Sequence, residues 1–394
     1  MKEDIKIFNM GGSCCNRRVV TKNGKKMFIK EIDKKIEGID NGFKKFYYEI
    51  QHMRRYKNTG LFPQILSIED DGDMYSVAME YYYNGATLSD LIRNKCVPKQ
   101  YFDNSFDYIM DELFKRMYCH RFDVTVPSDY LNICYFNRLQ HRIQRIEEDN
   151  LVLRYNFTNC LLKIIKNGCI INDEYYPPLS NYIDFMRDDN TLCREVNISY
   201  AGQAHYDLCP LNILVDIDES FPRIKNFKLI DVRGEGDTGV NIRSYMYDMG
   251  KMLLGLDAFD LFRIFNGKRG EESYEYSIFD SNIPQIKLKF IPNTIAERYK
   301  QAYEHFWSRM DEKSYYSNVL GENPTKLKNQ FLFSQSMMYH PDVPCRIIYE
   351  KDETLAILMY VRGMVLIRHF CEVFYGNDPI GKFKTKVDIW KGLK

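Results

Sequence analysis

The stretch His205-Tyr-Asp207-Leu-Cys-Pro210-Leu-Asn212-Ile-Leu-Val215 decides the fold, and Lys228-Leu-Ile-Asp231-Val-Arg233 answers it downstream. The first reads H-x-D-x-x-x-x-N running into an apolar strand, the second an apolar strand ending in an acid. Phosphoryl transfer explains the spacing. It needs one carboxylate beside the attacking hydroxyl, and hard oxygen ligands for the magnesium ion that bridges nucleotide phosphates. On that chemistry Asp207, Asn212 and Asp231 are the candidate catalytic residues, with Asn212 and Asp231 as metal ligands. The plainer alternatives are turn residues for Asp207 and Asn212 and a strand-end cap for Asp231. Short strands are expected at Asn197–Tyr200, Ile213–Val215 and Phe227–Ile230, and a helical pattern at Tyr245–Leu254.

Working outward, the first 85 residues read as strand-rich with one helix. Strands are expected at Lys6–Phe8, Arg18–Thr21 and Met27–Ile32, with Asn23-Gly24 as a hairpin turn in which both residues tolerate positive φ. Phe43, Phe46, Tyr47, Ile50 and Met53 recur at helical intervals from Gly42 to about Tyr56. Two more strands, Gln64–Ile68 and Met74–Tyr82, flank the acidic turn Asp70-Asp71-Gly72-Asp73, and Asn84-Gly85 closes the region. Lys30 shares its strand face with Phe28 and Ile32, and a lysine on an apolar face needs a partner. Glu49, at the edge of the helical stripe, is the natural one, ahead of Glu31 and Glu37. Thereafter the signal is mostly helical, with a polar excursion at residues 170–194 and a mainly helical tail from Ile295.

In these residues the chain resembles the protein-kinase-like phosphotransferases, specifically the aminoglycoside phosphotransferase and choline kinase group. Asp207 to Val215 looks like that group's catalytic loop. Leu229-Ile-Asp231 looks like its metal-binding acid, with Val232 and Arg233 where protein kinases carry Phe and Gly. Tyr247-Asp248-Met249-Gly250-Lys251 is similar to a helix whose Asp braces the loop. Tyr206 departs from the small residue usual between the His and the Asp. The resemblance implies an α+β, protein-kinase-like, two-lobed fold: a small antiparallel β-rich N-lobe at 1–85 and a large mainly helical C-lobe at 86–394 holding the catalytic loop and the acceptor-binding helices. It implies ATP and Mg²⁺ as cofactors, with Lys30 on the nucleotide phosphates and Glu49 positioning it. Gly11, Gly12 and Ser13 would form the phosphate-covering turn, and main-chain groups at Glu80, Tyr81 and Tyr82 would read adenine. His205 and Asp248 would be structural supports. Arg233 would either meet substrate or decorate a glycine-rich loop. The implied activity moves the γ-phosphoryl group to a hydroxyl of a small molecule: a sugar, an aminoglycoside or an amino alcohol such as choline. The alternatives are a catalytically silent kinase-like binding module and, against the absence of D-F-G and A-P-E after Asp231, a protein Ser/Thr kinase.

Composition agrees with a soluble globular chain. Across 394 residues, 55 basic side chains face 54 acidic ones, so no global field favours nucleic acid as a partner. Eleven cysteines without a C-x-x-C pair suggest free thiols in a reducing, cytoplasmic setting. The N-terminus is not expected to be a signal peptide, and Leu355–Val373, interrupted by Arg362, Arg368 and His369, reads as a buried helix rather than a membrane span. The 30 tyrosines and 25 phenylalanines are read as coding bias. Oligomeric state is not legible.

Overall fold

Five strands, β1 (Lys6–Ile7), β2 (Asn16–Lys22), β3 (Lys25–Asp33), β4 (Ile65–Asp70) and β5 (Met74–Glu80), form an antiparallel sheet in the order β1-β2-β3-β5-β4. The computed structural model describes residues 6–7, 15–22, 24–35, 42–82, 86–218, 220–233, 244–264, 274–291, 294–312 and 314–376. The β2–β3 hairpin turns tightly: Lys22 pairs with Lys25, and Gly24 takes φ +72°. The β4–β5 turn is closed by its own acids. Asp71 Oδ1 accepts from the amides of Asp73 at 3.1 Å and Met74 at 2.6 Å, and Gly72 takes φ +95°. Helix α1 (Gly42–Arg55) buries Phe46, Glu49, Ile50 and Met53. Phe43 and Phe46 set their rings edge-on against Tyr75 of β5, which ties helix to sheet.

Packing divides the chain into two compact units. The first gathers Met1–Leu91, Val97–His120 and Gly202–Arg243, and the second Ile92–Cys96, Arg121–Ala201 and Ser244–Lys394. Packing groups the His205–Arg233 segment with the N-terminal sheet. In this first unit Ile213–Asp216 and Asn226–Leu229 make a second antiparallel hairpin, extended by Ala86–Thr87. Helix Lys99–Leu113 runs beside it, and Ser105 Oγ accepts from the amide of Ile224 at 2.9 Å.

The second unit is mainly helical. Tyr245–Leu256, Pro324–Ser336 and Glu353–Tyr375 supply many of its buried side chains. The last of these is long and apolar enough to cross a membrane, yet 89% of its most apolar window is buried inside the protein. Its Arg362 makes two hydrogen bonds to the buried Asp257, at 2.6 and 2.9 Å.

Two sequence expectations need correction here. No strand forms at Asn197–Tyr200, because other groups take its backbone: Glu322 accepts the amide of Ser199 at 3.0 Å, and Gln330 donates to the carbonyl of Asn197 at 3.2 Å. The unit also holds a four-stranded sheet that the helical reading omits. It runs Tyr274–Phe279, Gln285–Phe290, Cys169–Ile171, Glu174–Tyr176, with the middle pair parallel. The polar excursion at 170–194 contributes two of those strands and two helices, Leu179–Arg187 and Asn190–Val196.

Candidate active site

β3 and α1 meet at a buried ion pair. Lys30 Nζ donates to Glu49 Oε2 at 2.7 Å, and both residues are about 5% exposed or less. This is the pairing that strand alternation and the helical stripe predict. Lys30 also donates to Asp231 Oδ1 at 2.8 Å, bringing the downstream acid onto the same ammonium. Asp231 Oδ2 stands 3.6 Å from the Arg17 guanidinium. The ring of Phe46 lies under the ammonium at 5.0 Å.

Electrostatics fix the charge states. Burial alone pulls the Lys30 ammonium down, but Asp231 and then Glu49 outweigh it, with smaller opposed contributions from Cys15 and Arg17, and hold it well above the usual lysine range. Burial also raises the carboxyl of Glu49, against the pull of Lys30. At Asp231 burial is overcome by Lys30 and Arg17, with Lys45 more weakly in support, and the carboxyl is held well below the ordinary range. Lys30 is therefore a cation and Asp231 an anion at neutral pH.

The His205–Asn212 loop is locked from inside. The amide of Asp207 donates to His205 Nδ1 at 3.2 Å, which leaves Nε2 carrying the ring proton and donating to the carbonyl of Ile230 at 3.0 Å. The carbonyl of Asp207 accepts from Asn212 Nδ2 at 2.8 Å and from the amide of Cys209 at 2.9 Å. The amide of Ile230 donates to the carbonyl of Asn212 at 3.0 Å, so the loop and the strand leading to Asp231 are stitched together. Arg233 reaches Asp207 Oδ2 at 3.4 Å. Tyr206 and Asp231 both take the left-handed conformation, at φ +66° and +56°. That explains why a small residue suits position 206: glycine enters this region freely, whereas a tyrosine held there costs on the order of 1–2 kcal/mol.

The donor set fits a hard cation. The Asn212 amide donates its nitrogen to the Asp207 carbonyl, so the oxygen it could offer a cation is Oδ1, and Asp231 could offer a carboxylate oxygen. Magnesium is commonly held by one or two such protein oxygens together with substrate phosphates and water, not by a full protein cage. Among the described residues no three His, Cys, Asp or Glu side chains gather into a metal cage.

The remaining expected residues are distributed as follows. Glu80 ends β5, and its amide is already donated to the carbonyl of Gln64 at 2.9 Å. Tyr81 lies 5.9 Å from the Lys26 ammonium. Burial first, then Asp216, raises the phenol of Tyr82. Asp248 is fully buried in the first turn of Tyr245–Leu256, within the second unit. Gly11, Gly12 and Ser13 lie outside the described residues. Sequence reasoning missed Arg17, although the two-residue turn places it opposite Lys30 by counting outward from the Lys22–Lys25 pair.

No protein-family model matches the chain, and no curated protein sequence does. Solved structures similar to it include three at 12% identity each. A putative aminoglycoside phosphotransferase from Ralstonia eutropha JMP134 aligns over 93% of this chain and 90% of its own, with a TM-score of 0.44. A microcompartment-associated aminopropanol kinase aligns over 96% and 94%, at 0.38. The ADP-bound aminoglycoside phosphotransferase APH(2'')-Ib aligns over 94% and 94%, at 0.40. At these TM-scores the superpositions are too loose to transfer residue roles.

Proposed function

We propose that the protein is an ATP- and Mg²⁺-dependent phosphotransferase that moves the γ-phosphoryl group to a hydroxyl of a small molecule. The observation that carries this reading is the meeting of Lys30, Glu49 and Asp231 in one ion-paired cluster, hydrogen-bonded through Ile230 to the loop that bears Asp207. A buried lysine held charged between two carboxylates is poised to exchange one of them for a phosphate. Asp207 orients the acceptor hydroxyl and takes its proton. Arg233, beside that carboxylate, is placed to meet the acceptor. Asn212 and Asp231 would hold Mg²⁺, which would neutralise charge on the phosphates. Glu49 holds Lys30 in position, and His205 holds the loop. Catalysis on this arrangement is positioning and charge stabilisation, with little covalent work for the protein. None of the ten described cysteines is in a disulfide, which suits a reducing, cytoplasmic site of action.

Asp207→Asn tests the assignment. It should abolish phosphate transfer across a panel of sugars, aminoglycosides and amino alcohols while leaving ATP-dependent thermal stabilisation intact. Normal transfer by the variant would remove Asp207 from its role. Thermal stabilisation of the unaltered protein by ATP and Mg²⁺, without ADP release on any acceptor, would favour a silent binding module.

A further inference from the structure

β2 and β3 set Arg17 directly opposite Lys30, and directly paired residues of an antiparallel sheet project from the same face. Two cations in that relation repel, and nothing in the Lys30–Glu49 pair calls for the second one. Lys30 and Glu49 already balance. Adding Arg17 and Asp231 brings in one more charge of each sign, joined only loosely: the guanidinium stands 3.6 Å from Asp231 Oδ2, beyond hydrogen-bond length. Among the described residues nothing engages the Arg17 fork more closely, and its side chain is only 16% exposed. A guanidinium offers five donors in a planar fork matched to the oxygens of a phosphate, so a half-buried one with its fork unspent is placed to bind an anion.

We propose that Arg17 is a second phosphate-binding cation of the nucleotide site, gripping the polyphosphate together with Lys30 when Asp231 turns to the metal. The inference rests on the phosphotransferase reading. Asp231 now bridges the two cations, with one carboxylate oxygen toward each. Asp231 shared with a metal ion would leave both cations short of counter-charge, which a polyphosphate would supply. Arg17 and Lys30 sit on neighbouring strands at a fixed register, so the pair can span adjacent phosphoryl oxygens without rearranging the sheet.

Calorimetric titration of Arg17→Gln with ATP and with adenosine, both in Mg²⁺, tests this. The expected result is a loss of roughly 10-fold or more in ATP affinity with adenosine affinity unchanged, and partial recovery in Arg17→Lys. Equal ATP affinity in Arg17→Gln and the unaltered protein overturns the proposal. So does a parallel loss for ATP and adenosine, which marks a structural role. If Arg17→Gln fails to fold, Arg17→Lys carries the test: a several-fold loss for ATP alone supports the proposal, and equal loss for both ligands overturns it. Failure of the unaltered protein to bind ATP would sink the phosphotransferase reading and this inference with it. Binding and turnover by the unaltered protein with no effect of Arg17→Gln would remove only the role of Arg17.

Discussion

The Nε2 of His205 stands 3.0 Å from the carbonyl oxygen of Ile230, the residue immediately before Asp231. One imidazole therefore fixes the loop bearing Asp207, through its Nδ1, and the approach to the acid that contacts Lys30, through its Nε2. Replacing His205 with Ala removes a fully buried ring and leaves two backbone groups unpaired, at a cost of about 2–4 kcal/mol measurable by urea unfolding. His205→Gln, whose amide can reach the Ile230 carbonyl, should recover part of the stability and, with it, part of the transfer rate.

Lys30 and Glu49 form a buried pair, and removing one partner strands the other. Lys30→Met and Glu49→Leu should each destabilise by about 3–5 kcal/mol. The double variant should be more stable than the sum of the singles implies, since two apolar side chains replace two charges. ATP-dependent thermal stabilisation, in contrast, should be lost in both single variants and should not return in the double variant. Chemical unfolding and thermal shift, read on the same four proteins, separate the structural role from the ligand role.

His340 is fully buried beside the ring of Tyr360, with centroids 4.7 Å apart. Burial pushes its imidazole down to about 3, and a backbone interaction with Tyr360 offsets only part of this. The folded pKa lies below the unfolded value of 6.5, so the neutral ring contributes stability that is fully present above pH 6.5 and is lost as pH falls toward 3. Between neutrality and pH 5 this single group should remove about 2 kcal/mol. His340→Phe should flatten that part of the pH–stability curve, and an unchanged slope would contradict the assignment.

Gly250 lies where helix Tyr245–Leu256 crosses helix Pro324–Ser336. A Cβ added there would fall 2.1 Å from Ser334 Oγ and 2.9 Å from the Ser334 backbone carbon. The backbone contact cannot be relieved by turning a side chain, and Ser334 is itself bonded to the Tyr135 hydroxyl at 3.0 Å. Gly250→Ala should therefore lower stability by about 1–3 kcal/mol despite the better helix propensity of alanine. Thermal unfolding would show the difference.

Asp257 accepts from Arg362 twice and from the Tyr339 hydroxyl at 2.6 Å, all inside the second unit. Arg362→Lys keeps the charge but loses the planar fork, so it should destabilise nearly as much as Arg362→Met, by about 3 kcal/mol. Equal stability of Arg362→Lys and the unaltered protein would show that charge alone suffices.

The local features of the site were legible because they are periodic. Strand alternation puts Lys30 inward, the helical stripe puts Glu49 toward it, and the H-x-D-x-x-x-x-N spacing marks the loop. What depended on long-range closure was not legible: nothing near Lys30 in sequence announces that Asp231 completes its coordination. Arg17 and the four-stranded sheet are a different case, since their signals were present. Gln285-Ile-Lys-Leu-Lys-Phe290 alternates perfectly between exposed and buried positions, and Asn172-Asp173, both at positive φ, is a hairpin turn. The strand wrongly expected at Asn197–Tyr200 had apolar character but no partner edge, and buried side chains took its hydrogen bonds instead.

Lys30 lies 19 residues from Glu49 and 201 from Asp231. As the chain emerges in synthesis, the sheet and α1 can pair the lysine early, while its second carboxylate arrives only after residues of both units have been made. Closing the longer loop costs roughly 2 kcal/mol more than closing the shorter one, a modest sum, but long-range contacts of this kind form slowly. No continuous fragment of the chain contains the first unit alone. A piece ending near residue 85 would display Lys30 and Glu49 without the acid that shares the lysine. The Lys30–Glu49–Asp231 cluster is therefore created by the folding of the first unit from separate stretches of chain and has no counterpart as an excisable segment.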